Sequence, residues 1–476
     1  MKKRFLAMLL AFVMVFSLLP ASAFAIDSVS NGIVVSNKRY NVSPGVVEYE
    51  LITNNSDLSS QQAGHVMEVK LGADTEIITG YNDYNIDTIK SGTNWGMKEA
   101  TLQAQAIETR RNVNVVGAVN ASFFNMANGQ PIGALVMNGM VITTSGAEST
   151  FWIDADGKAH ISGADFRVTE EMGVKEAVGG SSILVKDGAV VYPEDYSGGT
   201  NPRTAVGIKA DGTVVFYEVD GRQAPYSTGM YLYELALMMK DLGCVDAMNL
   251  DGGGSSTFAT QREGEDNDNG RAGLTIRNRP SDGYERTVSS TLMVVSNAAQ
   301  TGEFDHAALT PNSDIYTPGS KVQFRASGVD SAGGAAPLPD SGLRWSVKSG
   351  GELGSIDAAT GVFTAAKGKT GTVTVALSYN GKVVGTSDLE LQWPDRLDFT
   401  NTSVSLDFGE TSDLSFNPTY KGRTVNYKDG DFVWTLNPAS YKYTVQVEKK
   451  YDAGAPEGTR QNQYNDRKDF YLAITN

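Results

Sequence analysis

The stretch that decides the fold reads YLYELALMMKDLGCVDAMNLDGGGSSTF and runs from Tyr231 to Phe258. Leu232, Leu235, Ala236, Met239 and Leu242 recur at helical spacing, Ser227 or Thr228 can cap the start, and Gly243 can end the helix. CVDAMNL then reads as a short buried strand. Asp251 therefore stands at a strand end, with Gly252, Gly253 and Gly254 in the loop beyond it and Ser255, Ser256 and Thr257 following. Each glycine costs chain entropy on ordering. Three together imply that something approaches this backbone closely.

A second helix-then-strand unit precedes the first. MKEATLQAQAIETRR is rich in helix formers, and VNVVGAV is a short apolar run ending at Asn120. NASFFN, Asn120 to Asn125, thus also follows a strand end, and the two polar motifs are expected to share one rim. TAVGIKA, TVVFYEVD and TVSSTLMVVS read as further strands. This mixture gives an α+β expectation for residues 26–300. From 301 to 393 short strands alternate with turn residues and no helix is evident, which suits a small β-sandwich. A similar pattern restarts in 394–476 and stops at FYLAITN, so this second β-rich region is expected to be incomplete.

The chain of 476 residues opens MKKRFLAMLLAFVMVFSLLPASAFA. A basic start, an apolar run too short for a comfortable span and the pattern Ala23-Phe24-Ala25 read as a signal peptide over 1–25. Secretion or a cell-surface location is the expectation, with no later transmembrane segment. Cys244 is the only cysteine, so there is no internal disulfide and no cysteine-built zinc site. It reads as a small core residue. The formal charge of -15 argues against nucleic acid as a partner, since an acidic chain gains nothing from counterion release. His65, His160 and His306 are scattered and show no metal-ligand spacing. The run EGEDNDNG, Glu263 to Gly270, lacks the EF-hand pattern and reads first as an exposed acidic loop. The sequence requires no cofactor; a divalent cation such as calcium stays open.

Five stretches together resemble the phosphodiester glycosidase family: VNASFFN, QPIGALVMNG, NPRTAVGIKADGTVVFYEVDGRQ, the opening stretch, and NRPSDGYERTVSSTLMVV. They occur in the family's order over about Gly117 to Ser296. WSVKSGGELGSIDAATGVFTAAKGKTGTVTV resembles a bacterial Ig-like domain of the second group, so the two C-terminal regions are expected to be Ig-like. The first resemblance implies hydrolysis of a sugar-1-phosphodiester, as in the relative that removes N-acetylglucosamine from a sugar-phosphate diester. A carbohydrate phosphodiester, such as one from a cell-wall glycan, is then the expected partner.

The residues fit that chemistry. Glycines 252–254 remove side chains, so successive N–H groups can converge on an anion beside the hydroxyls of Ser255, Ser256 and Thr257. Asp251 is the leading catalytic candidate, because a carboxylate ending a buried strand can be held rigidly at a shifted pKa. Asp220, in VDGRQ, is a second carboxylate at a strand end. Arg203, Arg222 and Arg286 lie in the family-like stretches, and a guanidinium fork suits phosphate oxygens. Thr204 adjoins Arg203. Asn120 and Asn125 can bond sugar hydroxyls, and Phe123 or Phe124 can stack on a sugar face while the other joins the core. An ordinary glycosidase needs two carboxylates because a sugar alcohol leaves poorly. A phosphomonoester, with a second pKa of about 6, leaves more readily. C1–O cleavage is therefore the expectation, with Asp251 or Asp220 as base or nucleophile. Two alternatives stay open: a metal-dependent phosphodiesterase cutting P–O, and a non-catalytic glycan-binding or scaffold protein.

Overall fold

The computed structural model describes residues 26, 28–56, 59–85, 89, 95–144, 149–266, 273–399, 415–428, 430–436 and 472–475. The expected signal peptide, part of the acidic run Glu263 to Gly270 and most of region 394–476 lie outside the described residues. The chain divides into two compact units. The first comprises residues up to His306 together with Ser327–Pro337; the second comprises Ala307–Ala326 and Leu338 onward.

In the first unit, an eight-stranded sheet runs in the order Ile33–Ser43, Val46–Asn54, Gln61–Val69, Val214–Val219, Arg203–Lys209, Cys244–Asn249, Ile183–Lys186, Ala189–Val190. A five-stranded sheet runs Thr275–Ile276, Phe258–Thr260, Asn114–Asn120, Ser290–Ser296, Thr75–Tyr81. Strand alternation gives each sheet two apolar faces. Met67, Val206, Phe216 and Met248 of the first sheet share a core with Val116, Val119, Phe258 and Val294 of the second. A third sheet contributes Phe151 and Val178 to the same core. Helix α1 (Ala100–Arg111) buries Ala104 and Ile107 on the outer face of the five-stranded sheet. Helix α2 (Leu232–Asp241) buries Leu235, Ala236 and Met239 on the outer face of the eight-stranded one.

The expected α+β class is therefore corrected. Strands predominate, and α1 and α2, of 12 and 10 residues, are the two α-helices of this unit among the described residues. The helix-strand units suggested a more even mixture, but the strand after α2 does not complete a parallel crossover. Cys244–Asn249 pairs antiparallel with Arg203–Lys209 and with Ile183–Lys186. The fold is β-rich, with each helix serving as a cover over one sheet.

Two details of α2 differ from expectation. Ser227 donates to the Asp220 carbonyl and the Thr228 hydroxyl lies 3.0 Å from that of Ser60, so neither caps the helix. The start is closed by Glu234, whose Oε2 accepts from Tyr231 N at 2.9 Å. That contact places a carboxylate at the positive end of the helix. Gly243 ends it as expected, its N–H reaching the Lys240 carbonyl.

The second unit is built of strands. A sheet containing Leu343–Ser349, Gly371–Tyr379, Lys382–Leu391 and Asp314–Tyr316 faces a three-stranded sheet of Lys321–Gln323, Val362–Ala365 and Gly354–Ile356. Val322, Phe324, Phe363, Val375 and Leu389 fill the space between them. Arg423–Asn426 and Phe416–Tyr420 extend the larger sheet. Among the described residues, no helix is long and apolar enough to cross a membrane.

Candidate active site

The strand Cys244–Asn249 delivers Asp251 to a junction of three chain segments. Leu250 N donates to the Thr204 carbonyl and Asp251 N to that of Ala121. Asn120 ties the junction together: its Nδ2 donates to the Asp251 carbonyl at 2.6 Å, and its Oδ1 accepts from Thr204 Oγ1 and Thr257 N at 2.8 and 3.0 Å. The two polar motifs do share one locus, as expected. Asn120, Thr204 and Thr257 are nevertheless fully buried, each 0% exposed, and spend their polar atoms on one another and on the carbonyls of Asp251 and Ser255. They position the loop and have no polar atom to spare for a sugar.

The glycine loop is self-bonded. Gly252 N donates to Asp251 Oδ1 at 2.9 Å, Gly253 N to the Pro202 carbonyl, Ser255 N to Gly252 and Ser256 N to Gly253. A short 3₁₀ turn over Gly253–Ser255 results. The expected row of N–H groups converging on an anion is not formed, because the Asp251 carboxylate, the Pro202 carbonyl and two intraloop carbonyls take those of Gly252, Gly253, Ser255 and Ser256. Instead, two glycines make room for guanidinium groups. A Cβ on Gly253, whose φ is +64°, would lie 3.2 Å from Arg222 Nη2, and one on Gly254 would lie 2.1 Å from Arg286 Nη2.

Three arginines thus gather at this loop. Arg222 is exposed and reaches Asn201 Oδ1 through Nε and Nη2 at 3.0 and 2.8 Å. Arg203 donates to the Met230 and Gly199 carbonyls. Burial, and to a lesser extent the charge of Arg222, lower the Arg203 pKa. Neither Arg203 nor Arg222 has a carboxylate in ion-pair range among the described residues, so both keep uncompensated positive charge. Arg286 pairs with Asp282 at 2.7 Å, and its Nη1 is 3.5 Å from Ser255 Oγ. Burial raises the Asp251 carboxyl to about 6, against the opposing influence of the Ser255 hydroxyl, Gly252 N–H and Arg286. The site therefore couples a carboxylate poised near neutrality with cations that lack anionic partners.

Of the remaining expected residues, Asp220, Phe124 and Asn125 make no hydrogen bond to Asp251 or to the three arginines among the described residues, whereas Ser255 and Ser256 belong to the loop itself. Asp220 is buried, with Oδ1 accepting from Asn278 Nδ2 and Arg279 N and Oδ2 from Tyr226 Oη and Arg279 N. Both oxygens accept from protein donors. Phe124 is 8% exposed and offers no open ring face, whereas Phe123 is half-buried. Asn125 is exposed, and its Oδ1 closes a turn onto Ala127 N. Ser255 and Ser256 are buried, with Ser256 Oγ lacking a partner within the protein. Sequence reasoning missed Asn201, Asp282 and Asn278, which hold Arg222, Arg286 and Asp220. Each is an ordinary loop residue whose role is set by a partner distant along the chain or by the loop's path.

Residues 113–295, the part of the chain that carries Asp251 and the three arginines, match the family model described as phosphodiester glycosidase. Among individual proteins, the SPbeta prophage-derived protein YomE of Bacillus subtilis is 31% identical over 198 residues, 39% of this chain and 28% of its own length. The N-acetylglucosamine-1-phosphodiester alpha-N-acetylglucosaminidase of Bos taurus is 30% identical over 177 residues, 33% of each chain. The Homo sapiens protein of the same name is 28% identical over 180 residues, 33% of this chain and 34% of its own. The matched region thus spans about a third of the curated relatives' length. A solved structure, the zebrafish N-acetylglucosamine-1-phosphodiester alpha-N-acetylglucosaminidase catalytic domain auto-inhibited by its pro-peptide, superposes with a TM-score of 0.42 at 19% identity. It covers 55% of this chain and 88% of that one.

Proposed function

We propose that this protein is a secreted hydrolase that cleaves the C1–O bond of a sugar-1-phosphodiester in a cell-surface or wall-derived glycan. The observation that carries this reading is the packing of Arg222 and Arg286 against the bare backbone of Gly253 and Gly254, beside a carboxyl raised to about 6. The match of residues 113–295 to the phosphodiester glycosidase model supports the reaction class.

In this mechanism the phosphate of the substrate lies among Arg203, Arg222 and Arg286. The C1–O bond breaks with its electron pair leaving on the phosphate, and the guanidinium groups stabilise the charge that develops there. Asp251 takes the proton of the water whose oxygen bonds to C1. A base with a pKa near 6 is mostly ionised at neutral pH yet basic enough to accept that proton. Asp220 does not compete for the role, since it is 1% exposed and held among Asn278, Arg279 and Tyr226. Region 301–393, with the β-rich region after it, is proposed to be an Ig-like arm that carries the enzyme at the surface.

Hydrolysis of a panel of sugar-1-phosphodiesters in ¹⁸O-water tests the proposal. Label on the C1 hydroxyl of the released sugar is expected. Label in the phosphate would replace C–O cleavage by P–O cleavage, and binding without turnover would identify a glycan-binding protein.

A further inference from the structure

We propose that His65, Glu218 and Asp220 form a buried site for one divalent transition-metal ion of the Zn²⁺ class. His65 lies on Gln61–Val69 directly opposite Glu218 on Val214–Val219, and Asp220 follows the end of that second strand. Each offers a ligand atom, and these atoms lie within 4.8 Å of one another. The three side chains are 5%, 0% and 1% exposed.

Two of these groups present buried atoms that the protein leaves unmatched. His65 Nδ1 and Glu218 Oε2 have no hydrogen-bond partner. An unpaired buried polar atom gives up its hydrogen bonds to water without replacement, at a greater cost when charged. Neighbouring carboxylates are treated differently. Glu48 pairs with Arg262 and has Arg277 at 3.9 Å, and Glu50 pairs with Arg262 at 2.6 Å. Glu218 and Asp220 have no cationic side chain in ion-pair range among the described residues. Their partners are neutral donors: Asn278 Nδ2 at 3.3 and 3.2 Å, the Arg279 N–H and the Tyr226 hydroxyl.

Two carboxyl groups without a cationic side chain in range, beside an imidazole whose Nδ1 has no partner, are what a dipositive ion satisfies. One nitrogen and carboxylate oxygens suit Zn²⁺ or a similar metal, and Asn278 and Tyr226 are placed to orient the ligands. Tetrahedral ligands at about 2.1 Å from one ion lie about 3.4 Å apart, so a pair at the 4.8 Å limit closes by about 1.4 Å. The ion would not touch substrate. Asn278 also donates to the Ser256 carbonyl and accepts from Phe258 N, so fixing Glu218 and Asp220 stiffens the far side of the glycine loop.

The test is metal analysis of the full chain from zinc-supplemented culture, with thermal unfolding before and after chelation and after Zn²⁺ is returned. About one zinc per chain is expected, with a melting temperature that falls on chelation and recovers. Cobalt in its place should give visible ligand-field bands. Glu218→Gln should remove the metal while Asp251→Asn retains it, which separates this site from the catalytic proposal. A chain that holds no metal and responds to neither Zn²⁺ nor Co²⁺ overturns the proposal and leaves a shared proton to neutralise the pair. Full metal occupancy in Glu218→Gln overturns it equally. If that variant fails to fold, the cobalt spectrum of the unaltered chain decides.

Discussion

Replacing Gly254 by alanine tests the link between the glycine loop and the arginines most directly. The backbone of Gly254 lies outside the left-handed region, so alanine adds a methyl group without torsional strain. That methyl would stand 2.1 Å from Arg286 Nη2, 2.4 Å from its Cζ and 2.5 Å from Asp282 Oδ1. Ordinary heavy-atom contact is about 3.5 Å, so the guanidinium must retreat by about 1.4 Å. The atoms that yield are the side-chain ends of Arg286 and of Asp282, its ion-pair partner, which holds the stability cost to about 1–2 kcal/mol. A misplacement of that size in a phosphate-binding group costs about 10²-fold in rate. Gly254→Ala is therefore expected to melt near the unaltered protein while kcat/KM on a sugar-1-phosphodiester falls about a hundredfold. Gly163→Ala is the control, since a Cβ there meets nothing within 4 Å. Unchanged kcat/KM in Gly254→Ala would refute the placement of Arg286 at the substrate phosphate.

Other expectations follow from the same physics. Asp251→Asn should abolish turnover yet raise stability at pH 8 by about 1–3 kcal/mol, because a carboxyl raised to about 6 opposes folding once ionised; equal stability at pH 8 would contradict that burial cost. In the unaltered enzyme, kcat/KM should rise as pH climbs through about 6 and Asp251 ionises, and a flat profile would remove it as the base. Glu176 is buried, accepts from Thr79 N and Asn138 N, and is raised by burial to about 8. Its protonated form favours the fold, a contribution complete below the unfolded value near 4.5 and lost as pH rises through about 8. Melting curves of Glu176→Gln should therefore decline less than the unaltered protein's between pH 6 and 9. Burial pushes the Cys244 thiol up to about 12, so thiol reagents should label it only after denaturation.

Local signals were legible in the sequence where the chain itself enforces them. The apolar run through Met248 places Asp251 at a strand end, and Gly243 stops α2 because the chain there turns on its own backbone. The α+β class was misread because a helix followed by a strand looks the same locally whether the next pairing is parallel or antiparallel. Only the pairing of Cys244–Asn249 with its neighbours distinguishes the two. Phe124 and Asn125 illustrate a similar limit: adjacent residues of one motif differ in exposure because one side chain turns inward and its neighbour turns out.

The sequence by itself determined the identities of the charged groups and the bare loop beside Asp251. Tertiary structure decided which of them work together. Arg222 and Arg286 meet the loop only because glycine leaves space for them, and Asp220 is committed elsewhere by Asn278, Arg279 and Tyr226. His65 and Glu218 stand far apart in the chain and become neighbours through strand register alone. Spacing along a chain reports contacts within one helix or turn, whereas a sheet joins residues at separations that no local pattern records.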